Sequence, residues 1–486
     1  MRSLSILVVL LLGLSGLPRG FAQGTSGGSL SSLPELGDSS ANTLSPQMEK
    51  RIGEEAMREI RAKDPSYVDD PEVAEYLNSL GRKLVASSSG ASQRYEFFLI
   101  KDDTINAFAM PGGFVGAHTG LLLAAQTESE LASVLAHEIS HVTQHHIARL
   151  FGKQSQLSAV SIAGLLLAIL AARSGSAAGQ AAMVASQAGA VQAQLGYSRD
   201  FEREADRVGF QVLQQAGFDV NGMVSFFERL QRATRIHENN APAYLLSHPL
   251  TGERIADIQN RVQGTPYKQH ADSIEFQLVR AKLRSQQGTP REALAFFEEQ
   301  LREKRYSSEV AARYGLASSL ERLKDYKRAS AEVEHLRTVT GQHPVVELLY
   351  MRIKESSGDV KGARDLASGA VKRQPSYRPF RYAYLQFQQA LGQHQDVLSQ
   401  LEELVRTDPR DSRFYSMQAQ SYAAIGRGLS RHRAQAEVYF LQGAIPAAIE
   451  QLQLAQRAGD GDFYQLASID ARLKELRALV EEEKRR

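Results

Sequence analysis

A small residue that recurs at one helical period constrains this chain more than any other feature. Ala293, Ala329, Ala363, Val397 and Ala448 hold equivalent places in five helix-like segments, at successive spacings of 36, 34, 34 and 51 residues. A period of about 34 is that of a helix–turn–helix unit, which must stack on its neighbours because one helix pair cannot bury its own apolar face. Five residues before these positions stand Gly288, Lys324, Gly358, Gly392 and Gly443, where the two helices of a pair must turn. The last spacing equals one and a half periods, which predicts one extra helix before Ala448. No segment from about 272 onward has strand character. Residues 272–486 are therefore expected to form an all-α solenoid whose concave face takes peptides or partner proteins.

The preceding part has a different grain. Ser45-Pro46 and Asp70-Pro71 each set a capping side chain ahead of a first-turn proline. Met48, Ile52, Ala56 and Ile60 then mark one apolar helix face. Residues 95–100 (YEFFLI), 105–110 (INAFAM) and 114–117 (FVGA) read as three short strands, the last two joined by the turn 111–113. Helices are expected from about Thr119 and about Glu128. Residues 46–265 thus read as an α+β domain, mostly helical with a small sheet.

Composition narrows the chemistry. The chain of 486 residues has a net charge of +2, which gives no argument for nucleic acid as a partner. It contains no cysteine, which removes disulfides, thiol nucleophiles and cysteine-held metals together. Any metal must be held by His, Asp or Glu. Of 12 histidines, His118, His137, His141, His145 and His146 crowd one short stretch.

Residues 137–141 read HEISH, inside a helical stretch with Leu131, Val134, Leu135 and Val142 as its apolar positions. His137 and His141 are four apart, so their rings project from one face, one turn apart. Two imidazoles so placed can meet one Zn²⁺ per chain, and Glu138 is placed to act as base on a water there. A third donor is required. Glu202 in DFEREAD is the best candidate; Glu204 is its rival, off the face that Glu202 shares with Asp206. Asp206 can accept the far ring N–H of a ligating histidine, with a surface salt bridge as the plainer alternative. Arg254 is a candidate counter-charge to Glu202 or Asp206.

Other segments carry weaker signals. His145 and His146 read as surface or helix-end residues, and His118 as a cap or core contact. Asn106, Ala107 and Phe108, with Ala109, can form an edge strand along which an extended substrate pairs through its main chain, or an ordinary interior strand. Residues 159–172 (AVSIAGLLLAILAA) are apolar all round but short for a bilayer, so they read as a helix over the cleft or a peripheral membrane contact. Residues 1–22 have the pattern of a secretory signal peptide, and residues 23–45 read as a flexible leader, so the mature chain is expected outside the cytoplasm.

The motifs HEISH, then EREAD about sixty residues on, then SHPLTGERI at 247–255 resemble the peptidase family of the CAAX-prenyl endopeptidases and HtpX. With the export signal and C-terminal segments that resemble tetratricopeptide (TPR) repeats, the chain looks like the periplasmic BepA family of that group. The resemblance implies an α+β zincin-like metallopeptidase domain followed by an all-α TPR solenoid. It implies Zn²⁺ on His137, His141 and Glu202 with Glu138 as base. It also implies that His248 can take the open metal position and hold the enzyme shut; a turn histidine with a stability role is the alternative. The substrates implied are unfolded or stalled outer-membrane proteins, with the outer-membrane assembly machinery bound through the repeats. A non-proteolytic chaperone or scaffold with a silenced zinc site is the second reading, and a zinc hydrolase of another bond the third.

Overall fold

Ser45 Oγ accepts the Met48 N–H at 3.2 Å and opens α1 (Pro46–Lys63); Asp70 does the same for Glu72 and Val73 at the head of α2 (Pro71–Val85). Both caps act as their sequence signature implies. The computed structural model describes residues 44–91, 93–151, 199–236 and 243–484. The signal peptide, nearly all of the leader and the apolar segment 159–172 lie outside the described residues.

The three expected strands form: β1 (Glu96–Ile100), β2 (Ala107–Met110) and β3 (Phe114–His118). Their order is β1-β3-β2, with β1 parallel and β2 antiparallel to β3. Gly112 and Gly113 supply the positive φ, 80° and 91°, that the β2–β3 turn needs. Alternate side chains divide between two layers. Phe97, Leu99, Ala107, Val115 and Ala117 face a core shared with α2 and α4 (Glu128–Thr143), while Phe98, Ile100, Phe108 and Met110 pack on α1. With both faces covered, the strands read as nearly continuous apolar runs. Strand β2 stands at the sheet edge, next to α4. His118 is a core contact: it is buried, and its Nδ1 lies 2.9 Å from Thr104 Oγ1.

After α3 (Thr119–Ala124) and α4 come α5 (His146–Phe151), α6 (Arg199–Gln215), α7 (Asn221–Ile236), α8 (Ala243–Ser247) and α9 (Gly252–Gln263). From α10 (Ile274–Gln286) onward the described residues are helical pairs up to Lys484. The five positions read as hinges all have positive φ, Lys324 at 63° included, and the aligned residues Ala293, Ala329, Ala363, Val397 and Ala448 are all buried. Two helices, Ser412–Ala424 and Gly428–Leu441, lie between the segments of Val397 and Ala448, one more than in the regular spacing, and Gly426 at φ 71° turns between them.

The first repeat helix belongs to both parts. Phe276, Val279 and Leu283 of α10 enter the core beneath the sheet, while Leu278 and Ala281 on its other side join the repeat core. Polar contacts reinforce this junction. Buried Lys282 reaches Asp70 at 2.7 Å and Glu72 at 2.9 Å, Arg352 pairs with Glu72, and Arg280 donates to the Leu122 and Leu123 carbonyls. The repeats are thereby tied to the helix that supports the sheet.

Candidate metal centre

Helix α4 starts at Thr127, whose Oγ1 accepts the Glu130 N–H at 3.2 Å, and is buried from Glu128 to Val142. A helix buried on all sides has no solvated face, so its polar residues must meet partners inside the protein. His137 and His141 point toward α6, which crosses close above. Gly209 permits that approach: a Cβ there would fall 3.1 Å from the His137 backbone nitrogen. Gly209→Val is therefore expected to cost about 1–3 kcal/mol by overpacking, read as a lower urea midpoint.

The crossing brings Glu202 over the two imidazoles, and the chain returns after α7 to add His248. One donor atom from each of His137, His141, Glu202 and His248 lies within 4.8 Å of all the others, and all four residues are buried. His137 Nε2 and His141 Nε2 are 3.0 Å apart, and each stands 3.5 Å from a Glu202 oxygen. His248 Nδ1 lies 3.0 Å from Glu202 Oε1 and 3.3 Å from His137 Nε2. Glu138 is beside them, completely buried, and neither of its carboxylate oxygens has a hydrogen-bond partner among the described residues. Its Oε1 is 3.4 Å from His248 Nε2.

A shell of further groups orients these donors. Asp206 Oδ1 lies 3.0 Å from His137 Nδ1, on the ring side away from the cluster. Arg254 forks onto Asp206 at 2.6 and 2.8 Å, reaches Glu202 Oε2 at 2.8 Å and donates to the Pro249 carbonyl at 2.8 Å. The plainer alternative for Asp206, a surface salt bridge, is excluded by its burial. Glu204 faces elsewhere and pairs with Arg149 at 2.8 Å. Two residues were not read from the sequence as part of the site. Tyr244 stacks on the His248 ring at 4.6 Å and donates its N–H to the Ile105 carbonyl, which pins α8 to the strand edge. Its spacing of four from His248 on a short helix was the available signal. His146, read as a surface or helix-end residue, does begin α5 but is fully buried, with Nδ1 2.8 Å from His141 Nδ1. The cause is His145, whose φ of 51° ends α4 and swings the chain back; His145 itself stays half-exposed beside Glu49.

Electrostatics follow from burial and these pairings. Burial opposes a charge on His137, but Asp206 and Glu202 outweigh it and push the imidazole up to about 9. Burial likewise raises Glu202, yet His248 and His137 hold it well below the carboxylate range. Asp206 is lowered because Arg254 and His137 overcome its burial. His141 lies well below the usual range through burial and the neighbouring His137 charge, and burial takes His146 down to about 4. Glu138 is raised by burial. Imidazole nitrogens and a carboxylate converge, with 3.5 Å from Glu202 to the His137 and His141 Nε2 atoms and a second buried carboxylate, Glu138, alongside. That donor set suits a borderline cation of the zinc type.

A HExxH helix crossed by a second, acid-bearing helix beside a small sheet defines a metalloprotease. Residues 71–262 match the family described as peptidase family M48. The β-barrel assembly-enhancing protease of Escherichia coli (strain K12) is 33% identical over 461 residues, covering 93% of each chain. A putative β-barrel assembly-enhancing protease of Vibrio cholerae serotype O1 is 43% identical over 251 residues, 52% of this chain and 51% of that one. The metalloprotease LoiP of Escherichia coli is 28% identical over 231 residues, 47% of this chain and 86% of that one. The chain belongs to peptidase family M48, in the group of the β-barrel assembly-enhancing proteases.

Proposed function

We propose that this protein is a zinc-dependent endopeptidase and chaperone of the periplasm that promotes outer-membrane protein assembly and degrades stalled or misfolded chains. The observation that carries this reading is the meeting of His137, His141 and Glu202 beside a completely buried Glu138. The relatives' names supply the substrate class, and the export-type N-terminus supports the compartment. No helix among the described residues is long and apolar enough to cross a membrane.

His137, His141 and Glu202 would hold one zinc, which when bound supplies a Lewis acid to polarise a peptide carbonyl and acidify a water. Glu138 takes a proton from the attacking water as its oxygen bonds to the carbonyl carbon. The protonated Glu138 then gives that proton to the amine nitrogen as the C–N bond breaks. Asp206 holds the His137 ring, and Arg254 holds Asp206 and Glu202. Strand β2, with Asn106 before it and Ala107 and Phe108 within it, offers an edge for an extended substrate. The repeats select the client and dock the assembly machinery through their concave face.

His248 acts as a gate in this reading, because its ring stands among the donors, 3.0 Å from Glu202 Oε1 and 3.4 Å from Glu138 Oε1. Removing it by His248→Ala is expected to raise casein hydrolysis about tenfold, the gain if the shut arrangement is favoured by only about 1.4 kcal/mol. Unchanged or lower activity with zinc retained would remove the gating role. Dialysis against a chelator should abolish hydrolysis, and stoichiometric Zn²⁺ should restore it. The burial of His248 across the site also favours the non-proteolytic scaffold as a second reading. Cells carrying Glu138→Gln discriminate the two: full outer-membrane assembly without hydrolysis would support the scaffold.

A further inference from the structure

We propose that His146 is a positioning residue for the metal centre: it accepts the Nδ1–H of His141 and so presents His141 Nε2 to the ion. The inference rests on the metalloprotease reading but concerns residues that reading does not use. Both histidines of the HExxH pair need their far nitrogen satisfied, because a ligating ring in the neutral state carries its proton there. His137 meets a carboxylate, Asp206, whereas His141 meets an imidazole at 2.8 Å.

With His146 neutral, its contacts assign the protons along this pair. His146 Nε2 lies 3.2 Å from Glu204 Oε2, and a carboxylate accepts, so Nε2 carries the His146 proton. Its Nδ1 is then the acceptor that faces His141 Nδ1, so His141 must be the donor. His141 Nε2 then turns its lone pair to the cluster side, where Glu202 and His137 stand. A metal-ligating tautomer is thereby selected from two elements that HEISH does not include.

The rest of the surroundings immobilises that acceptor. Phe201 stacks flat on the His146 ring at 4.5 Å with the planes 11° apart, and Arg149 lies over Phe201 at 4.6 Å. Arg149 also fixes Glu204 at 2.8 Å. Phe201 is the neighbour of Glu202 on α6, so the wall that holds His146 moves with the helix that brings the acid. The left-handed backbone of His145 is the other constraint, since a non-glycine residue adopts φ 51° only where its surroundings require it. His146 is therefore wedged between both helices that build the cluster, and Glu204 has a role in orienting it.

The test uses the full-length chain and measures Zn²⁺ affinity by competition with a chromophoric chelator, alongside the visible spectrum of the Co²⁺ form. His146→Leu removes the acceptor and is expected to weaken Zn²⁺ binding about 10–100-fold and to alter the Co²⁺ bands. His146→Asn places Oδ1 near the position of Nδ1 and is expected to restore most of the affinity and the wild-type spectrum. Glu204→Gln, at a partly exposed position, is expected to give a smaller loss in a folded protein and decides the matter if His146→Leu does not fold. Wild-type Zn²⁺ affinity in both His146→Leu and Glu204→Gln overturns the proposal, as does an equal loss in Leu and Asn variants that keep their circular dichroism. Failure of the wild-type chain to bind Zn²⁺ stoichiometrically would instead sink the metalloprotease reading itself.

Discussion

Glu138→Gln is expected to lower hydrolysis of an unfolded polypeptide by about 10²–10⁴-fold while zinc remains bound. Glutamine has nearly the same shape, so neither the packing of α4 nor the ring positions of His137 and His141 should change. It cannot take a proton from water at neutral pH. Both carboxylate oxygens of Glu138 are buried without hydrogen-bond partners among the described residues, which is a costly state to maintain for stability alone. The substitution removes a buried ionisable group, so the variant should be at least as stable as the wild type. The measurements are casein turnover, metal content and urea midpoint on the same preparation. Equal turnover in the two proteins would show that Glu138 does not move the proton.

Arg254→Met is expected to destabilise the fold by about 3–5 kcal/mol, the usual cost of leaving buried charges without their partner. The guanidinium touches Asp206 through two nitrogens, Glu202 through a third, and the Pro249 carbonyl. Methionine fills much of the space but satisfies none of these acceptors. Two buried carboxylates are then left without their counter-charge, and the loop that carries His248 loses its anchor. Arg254→Lys should recover only part of the loss, because a single ammonium cannot fork onto Asp206 and still reach Glu202. Urea denaturation with and without added Zn²⁺ tests this, since a bound cation compensates Glu202 and should reduce the deficit. An unchanged midpoint would mean that Arg254 is not the keystone of the site.

Much of the fold was legible because it depends on neighbours in sequence. The caps at Ser45 and Asp70 need only a side chain and two or three backbone groups. The hinge positions of the repeats, read from spacing, all take a left-handed backbone, and even Lys324 obeys the period instead of its own preference. The pair His137 and His141 follows from helical geometry, as does the pair Glu202 and Asp206. Two parts of the site leave little trace in the local sequence. His146 does stand at a helix end, but its burial against His141 follows from a left-handed residue at His145, which has no strong local signature. Tyr244 was passed over because a five-residue helix gives too short a pattern to show which face is buried.

What the residues determined unaided is therefore the local geometry: where helices start, which rings share a face, where the repeats turn. Only the tertiary structure decided that Glu202 and not Glu204 meets the histidines, that Arg254 binds both acids, and that His248 enters from 111 positions away. Those encounters depend on how closely α6 can lie on α4, which Gly209 permits, and on how the chain returns after α7. Such distances are set by packing between remote elements, and no periodicity within either element records them.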